Sequence, residues 1–403
     1  MYEKLSVTNI KEFLLMNCDL FSLDDELEIT ELSNGNVNLI FRVRNTKDNK
    51  SFIVKQALPY LKIAGDSWPL AIDRNKLEYK VLEYQSLICK ELVPKVYFND
   101  EAYSAFVMED CTGMEVLRES LLKMNKYPSF PNIIGEYLAK MLFHTSDLGL
   151  KKKLKKNMIK EFVNPDLCDI TKRLVFTEPY YNCYTNNINA EILSYVKKEI
   201  WNDELVCASI DKLRYIFMNK SEALIHGDLH SGSIFISSDK CKVFDSEFAF
   251  YGPISYDIGT LYANLIVNYY YLDSVEDCNI EKINDFRAYL LNTMERVWTS
   301  FVNNFSLLYK RKLKLKVLNK EKYKEDYLNE VLHETIGFCA CEIMRRVIGL
   351  AHTEELDSIH DIKKKSTIEI ELLNLSKFLV LNYKEFNGID RIISSVDKSF
   401  TYV

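Results

Sequence analysis

The chain has 403 residues, 47% of them hydrophobic and 27% charged, a composition too apolar for intrinsic disorder and a length that suits two domains or lobes. Its formal charge of −6 calls for neither a nucleic acid nor an acidic membrane as partner, and the basic runs at 151–156 and 310–316 read as solvated faces. Ten cysteines without a CxxC pair read as free thiols; the start MYEKLSVTNI lacks a signal peptide's features and no run approaches the ~18 apolar residues of a membrane span, so a cytoplasmic protein is expected.

Thr8–Asn17 is expected as a first helix, capped by Thr8 and striped by Ile10, Phe13, Leu14 and Met16. Strands at Leu27–Leu32 and Val37–Arg44 flank the hairpin turn Ser33-Asn34-Gly35-Asn36. Ser51–Ala57 is a third strand, and Lys55 interrupts its apolar run; on its own this is a surface-facing lysine. The connection Leu58–Ile72 is long and apolar around Trp68, and reads as a lid or as a plug under the next helix. Asp73 caps that helix, which runs to about Lys90 and carries Glu78 and Glu83. Strands at Val93–Asn99 and Tyr103–Met108 lead into Glu109, Asp110 and Cys111, with a lobe boundary expected near Gly113.

Beyond that boundary the chain reads as mostly helical. Pro131–Thr145 is one helix, and His144 near its end reads as a capping or buried structural residue. The stretch LIHGDLHSGSIFISSDKCKVFDSEFAFYGPISYD, Leu224 to Asp257, breaks the helical pattern. Two strand-like runs, Ile234–Ser237 and Lys242–Phe244, form a hairpin with acids at both mouths. Asp257 then stands before the apolar run Ile258–Tyr271 as a helix cap, as a brace for the His226-Gly227-Asp228 turn, or as both. Tyr327–His352 is a long helix interrupted by Arg345 and Arg346, whose partner is a structural carboxylate such as Asp257 or a polar substrate. Ile368–Tyr383 is a packing helix.

A hairpin with ordinary turn acids does not account for the central stretch. Glycine is scarce, 12 in the chain, yet Gly227, Gly232, Gly252 and Gly259 cluster here, and Asp245 ends an apolar strand where no solvated charge is needed. Phosphoryl transfer from ATP needs one acid to take a hydroxyl proton and another to hold Mg2+ against the phosphates. Asp228 suits the first role and Asp245 the second. Ser233, five residues past Asp228, is a weak metal ligand, so Glu247 is the expected second carboxylate, sharing a face with Asp245 if the strand continues.

The runs HGDLHSGSIF and FDSEFAFYGPISYDIG resemble the methylthioribose kinases, a branch of the protein-kinase-like superfamily. NPDLCDITKRLVFTE and GFCACEIMRRVIGLAH resemble the same family, and the likeness extends from Asn36 to His352. It implies an α+β, bilobal protein-kinase-like fold, with a β-rich lobe over residues 1–112, a mostly helical lobe over 113–403, and ATP lying between them. It implies that Asn38 and Lys55 contact the nucleotide phosphates, with Glu78 or its rival Glu83 paired to Lys55. Backbone groups of Glu109, Asp110 and Cys111 would meet adenine. Asp245, Ser246 and Glu247 would complete the ATP and Mg2+ site, with Ser246 standing where the family favours proline. Asp228 would be the catalytic base toward the substrate, and Arg345 and Arg346 would hold its hydroxyls. The implied reaction converts 5-methylthioribose to its 1-phosphate in methionine salvage, in a homodimer.

Two rivals remain at this point. A related kinase could act on choline, homoserine or an aminoglycoside, although an arginine pair disfavours a polycation. A non-catalytic nucleotide-binding protein is the other, although such degenerate chains commonly lose one of the residues corresponding to Lys55, Asp228 and Asp245.

Overall fold

The computed structural model describes residues 2–32, 38–61, 65–276, 278–314 and 320–397. The chain forms two compact units, 1–114 with 242–249, and 115–241 with 250–403. It therefore passes between units three times.

The first unit is built on an antiparallel sheet of β1 (Leu27–Leu32), β2 (Asn38–Asn45), β3 (Ser51–Ala57), β4 (Val96–Asp100) and β5 (Ala105–Glu109), in the order β1-β2-β3-β5-β4. Helix α1 (Ile10–Asn17) lays Ile10, Phe13 and Leu14 against Phe41, Phe52, Val54 and Val107. Asn9, not Thr8, is the residue at its N-cap; the Asn9 side chain accepts the Ser6 amide at 2.7 Å. Because strand side chains alternate, Lys55 points away from the face of Phe52 and Val54. It meets helix α2 (Arg74–Cys89) instead. Asp73 stands at the N-cap of α2 without a side-chain capping bond. The turn Ser33-Asn34-Gly35-Asn36 lies outside the described residues, as do Lys62–Ala64 in the Trp68 connection and the Trp68 side chain.

In the second unit β6 (Glu115–Val116) precedes α3 (Leu117–Leu122) and α4 (Phe130–Thr145). Strand β7 (Ala223–Ile225) ends at the His226-Gly227-Asp228 turn, and β8 (Ile234–Ile236) pairs antiparallel with β6. Strand β9 (Phe250–Gly252) pairs with β7, Tyr251 opposite Leu224. Four long helices cover this scaffold: α5 (Ser255–Tyr271), α6 (Ile280–Lys312), α7 (Glu321–Ile348) and, after the short α8 (Glu354–Asp357), α9 (Ile362–Asn382). From Ser255 to Tyr270 every residue of α5 is buried, its polar side chains Ser255, Asp257, Thr260, Asn264 and Asn268 included. A Cβ at Gly259 of α5 would lie 2.7 Å from the Thr335 carbonyl oxygen, so glycine there sets how closely α5 and α7 approach.

All ten cysteines are free thiols. Among the described residues no helix is long and apolar enough to cross a membrane.

Candidate active site

The predicted site residues fall into two groups, one in each unit. In the first unit the buried Lys55 reaches Glu78, the first of the two acids expected as its partner, and also Asp245, which is not among them. Its Nζ lies 2.8 Å from Glu78 and also contacts Asp245 Oδ1. Glu83, the rival, accepts the Tyr79 hydroxyl at 2.8 Å instead. Burial alone would lower the lysine pKa, but Asp245, Glu78 and Glu247 outweigh it and hold the ammonium charged. Burial acts the opposite way on Glu78 and Glu247, raising both carboxyls against the pull of Lys55.

Asp245 corrects one expectation. Its φ of 66° is left-handed, so the strand Cys241–Val243 does not continue through it and the pleat does not align Asp245 with Glu247. A turn over 246–249, closed by Ala249 N–H to Ser246 O at 3.1 Å, carries Glu247 instead. Glu247 Oε2 accepts Asn38 Nδ2 at 2.8 Å and lies 3.7 Å from Arg74 Nε, while Arg74 Nη2 donates to Asn38 Oδ1 at 3.0 Å. Arg74 was missed in the sequence, although a buried arginine at the start of a helix needs an acid to pair with. Ser246 is buried, and among the described residues its hydroxyl has no hydrogen-bond partner.

The side chains of the expected adenine segment are already engaged. Lys242 Nζ donates to Glu109 Oε1 at 2.7 Å, and Asp110 Oδ2 accepts Arg42 Nε at 2.8 Å and the Ser51 hydroxyl at 2.6 Å. The Cys111 carbonyl accepts Met114 N–H at 3.1 Å, and burial pushes the Cys111 thiol up to about 12.

In the second unit the turn around Asp228 is held from several sides. Gly227 has φ 83°. The Asp257 carboxylate accepts the His226 amide at 2.7 Å and the Gly227 amide at 3.0 Å, from within the first turn of α5 rather than from its N-cap. Asp257 is thus the brace, and among the described residues it makes no ion pair with Arg345 or Arg346. His226 Nδ1 accepts the Asp228 amide at 3.3 Å. The Ser233 hydroxyl donates to the turn carbonyls of Asp228 at 3.1 Å and His230 at 2.8 Å, which uses it as a staple.

Asp228 lies 3.4 Å from His230 Nε2 and 3.5 Å from Arg345 Nη2. His230 Nδ1 accepts the Gly232 amide at 2.9 Å, so a neutral ring carries its proton on Nε2, facing Asp228. Burial lowers the His230 pKa. Burial would raise that of Asp228, but His230, Arg345 and Arg346 hold it well below the usual carboxylate range. With His230 neutral, the lasting part of that effect comes from the arginines.

Glu342, fully buried on α7, is the arginines' partner. Its Oε2 takes Arg345 Nε at 2.6 Å and its Oε1 takes Arg346 Nε at 2.8 Å. It was missed, yet it stands three and four residues before the pair, the spacing that puts side chains on one helical face.

Residues 28–279 match the model of the phosphotransferase enzyme family. The chain belongs to that family: it is a kinase with the kinase-like α+β fold. Within the family it is similar to methylthioribose kinases. It is 38% identical to the methylthioribose kinase of Bacillus velezensis over 98% of this chain and 96% of that protein, and 36% identical to that of Yersinia pseudotuberculosis over 92% and 90%. A solved ethanolamine kinase of Plasmodium vivax, 16% identical, aligns over 93% of this chain and 89% of its own with a TM-score of 0.48.

Proposed function

We propose that the protein transfers the γ-phosphoryl group of ATP to the anomeric hydroxyl of 5-methylthioribose, giving the 1-phosphate in methionine salvage. The reading is carried by Asp228, an ionised carboxylate held between His230 and Arg345, in a chain 38% identical to a methylthioribose kinase.

Asp228 orients the sugar hydroxyl and takes its proton. A carboxylate of depressed pKa is a weak base, which suits a loose transition state in which the proton leaves late and positioning dominates. Arg345 and Arg346, locked by Glu342, hold the sugar. Lys55, steadied by Glu78, offsets phosphate charge, and Asn38 and the 109–111 backbone contribute to nucleotide binding. Asp245 and Glu247 would hold Mg2+. Among the described residues no group of three or more potential ligands forms a metal site, and Mg2+ is commonly held by one or two carboxylates with substrate phosphates completing the shell. The Asp245 side chain is 40% exposed despite its contact with Lys55, which leaves it room for that role. When bound, the ion spreads the charge of the phosphates.

We further read the protein as a cytoplasmic homodimer, which sedimentation would test. A coupled assay of ADP release tests the activity: turnover is expected with methylthioribose and far less with ribose. Equal turnover of both, or turnover only with choline or an aminoglycoside, would overturn the reading.

A further inference from the structure

Within the second unit, beyond His230, the Glu355 carboxylate is 1% exposed, and among the described residues neither of its oxygens receives a hydrogen bond. A buried, unsatisfied carboxylate is costly, and in a native protein it calls for an explanation. Its nearest cation is Arg118 Nε on α3, 3.7 Å away and itself without a hydrogen-bond acceptor. The other end of Arg118 is fixed, with Nη2 donating to Asn264 Oδ1 at 2.8 Å. Gly232 lets the guanidinium come up against the Asp228 turn: a Cβ there would lie 3.0 Å from Arg118 Nη1 and 2.8 Å from His230 Cε1. The arginine therefore connects the unsatisfied carboxylate to the ring that faces Asp228.

Two acceptor oxygens beside one donor match two adjacent hydroxyls: each hydroxyl donates a hydrogen bond to the carboxylate, and the guanidinium donates one to a hydroxyl oxygen. We infer that Glu355 and Arg118 form the subsite for the vicinal hydroxyls of the sugar, the ones not phosphorylated, and so set specificity for an intact diol. This rests on the reading above that the acceptor is a sugar whose anomeric hydroxyl meets Asp228.

The test measures kcat/KM of the wild type and Glu355→Gln with methylthioribose and with its 2-deoxy and 3-deoxy analogues. Glu355→Gln should lose about 10- to 100-fold with methylthioribose, mostly through KM, the scale of a hydrogen bond to a charged group. On at least one deoxy analogue it should lose no more than about 2-fold, because the wild type has already forfeited that contact. The KM for ATP and the melting temperature serve as folding controls. If Glu355→Gln does not fold, Arg118→Lys is read the same way. Equal losses on all three sugars, or no loss, would overturn the subsite while leaving the proposed activity intact. A wild type that does not turn over methylthioribose would overturn the activity, and the subsite with it.

Discussion

Asp228 and Asp245 stand out in the sequence because each charge sits where a glycine-rich turn or an apolar strand gives no other reason for one, whereas Lys55 alone reads as a surface lysine and is marked out only by the family resemblance. Part of what surrounds them could not be picked out. The left-handed backbone at Asp245 is a conformation that residue type alone does not announce, so the expected alignment of Asp245 with Glu247 by the pleat fails. Arg118 and Glu355 have neither spacing nor motif to mark them. Asp228→Asn should keep ATP binding and lower kcat by about 100- to 10,000-fold, the usual range for a positioned acid or base; single-turnover kinetics would check this, and near-normal kcat would remove Asp228 from its assigned role. The donor group should respond to pH. Burial raises the Glu247 carboxyl, so below that raised value it is protonated and poor at holding a divalent cation. The KM for ATP at fixed Mg2+ should therefore rise as pH falls through that raised value, and Glu247→Gln should flatten that dependence.

Among the elements, β1 and β3 fall over the residues expected of them, β1 from its alternation and β3 from its apolar run. Helix α7 starts at Glu321, six residues before the apolar periodicity becomes visible. Its first turns are polar, and ion pairs such as Lys322–Asp326 at 2.7 Å support them, a signal that hydrophobic spacing does not contain. Helix α7 also carries the Glu342, Arg345 and Arg346 set. Glu342→Ala would leave two guanidinium groups almost wholly buried without their shared carboxylate. The expected cost is about 3–5 kcal/mol of stability, read by urea denaturation, together with a higher KM for the sugar. Gly259→Ala should cost about 1–3 kcal/mol without changing either KM, because the added methyl would press on the Thr335 carbonyl where α5 and α7 meet.

At the scale of the whole molecule, burial raises the carboxyl pKa of Glu78, Glu247, Asp257, Glu334 and Glu369. A carboxyl raised in the folded state costs nothing below its unfolded pKa, and it subtracts stability as pH climbs from there through the folded value. Asp228, depressed, has the opposite sign: its contribution is present above the unfolded pKa and lost as pH falls through the folded one. Glu369 isolates the first effect. It is buried, burial raises its pKa, and one oxygen accepts Asn189 Nδ2 at 2.8 Å, a bond that glutamine can keep. Glu369→Gln should therefore melt above the parent at pH 8, and the gap should close toward pH 4. Two units could be anticipated from the strand-rich start and the helical remainder; that 242–249 counts with the first could not, because the motif reads as one uninterrupted run.

That excursion limits how the enzyme can be recombined with its relatives. A graft that exchanged residues 1–114 as one block would take Lys55 and Glu78 from one parent and Asp245 and Glu247 from the other, separating partners that had been matched to each other. A chimera in which the octapeptide 242–249 travels with the first block keeps each parent's lysine with its own acids, and of the two hybrids it is the one expected to retain activity.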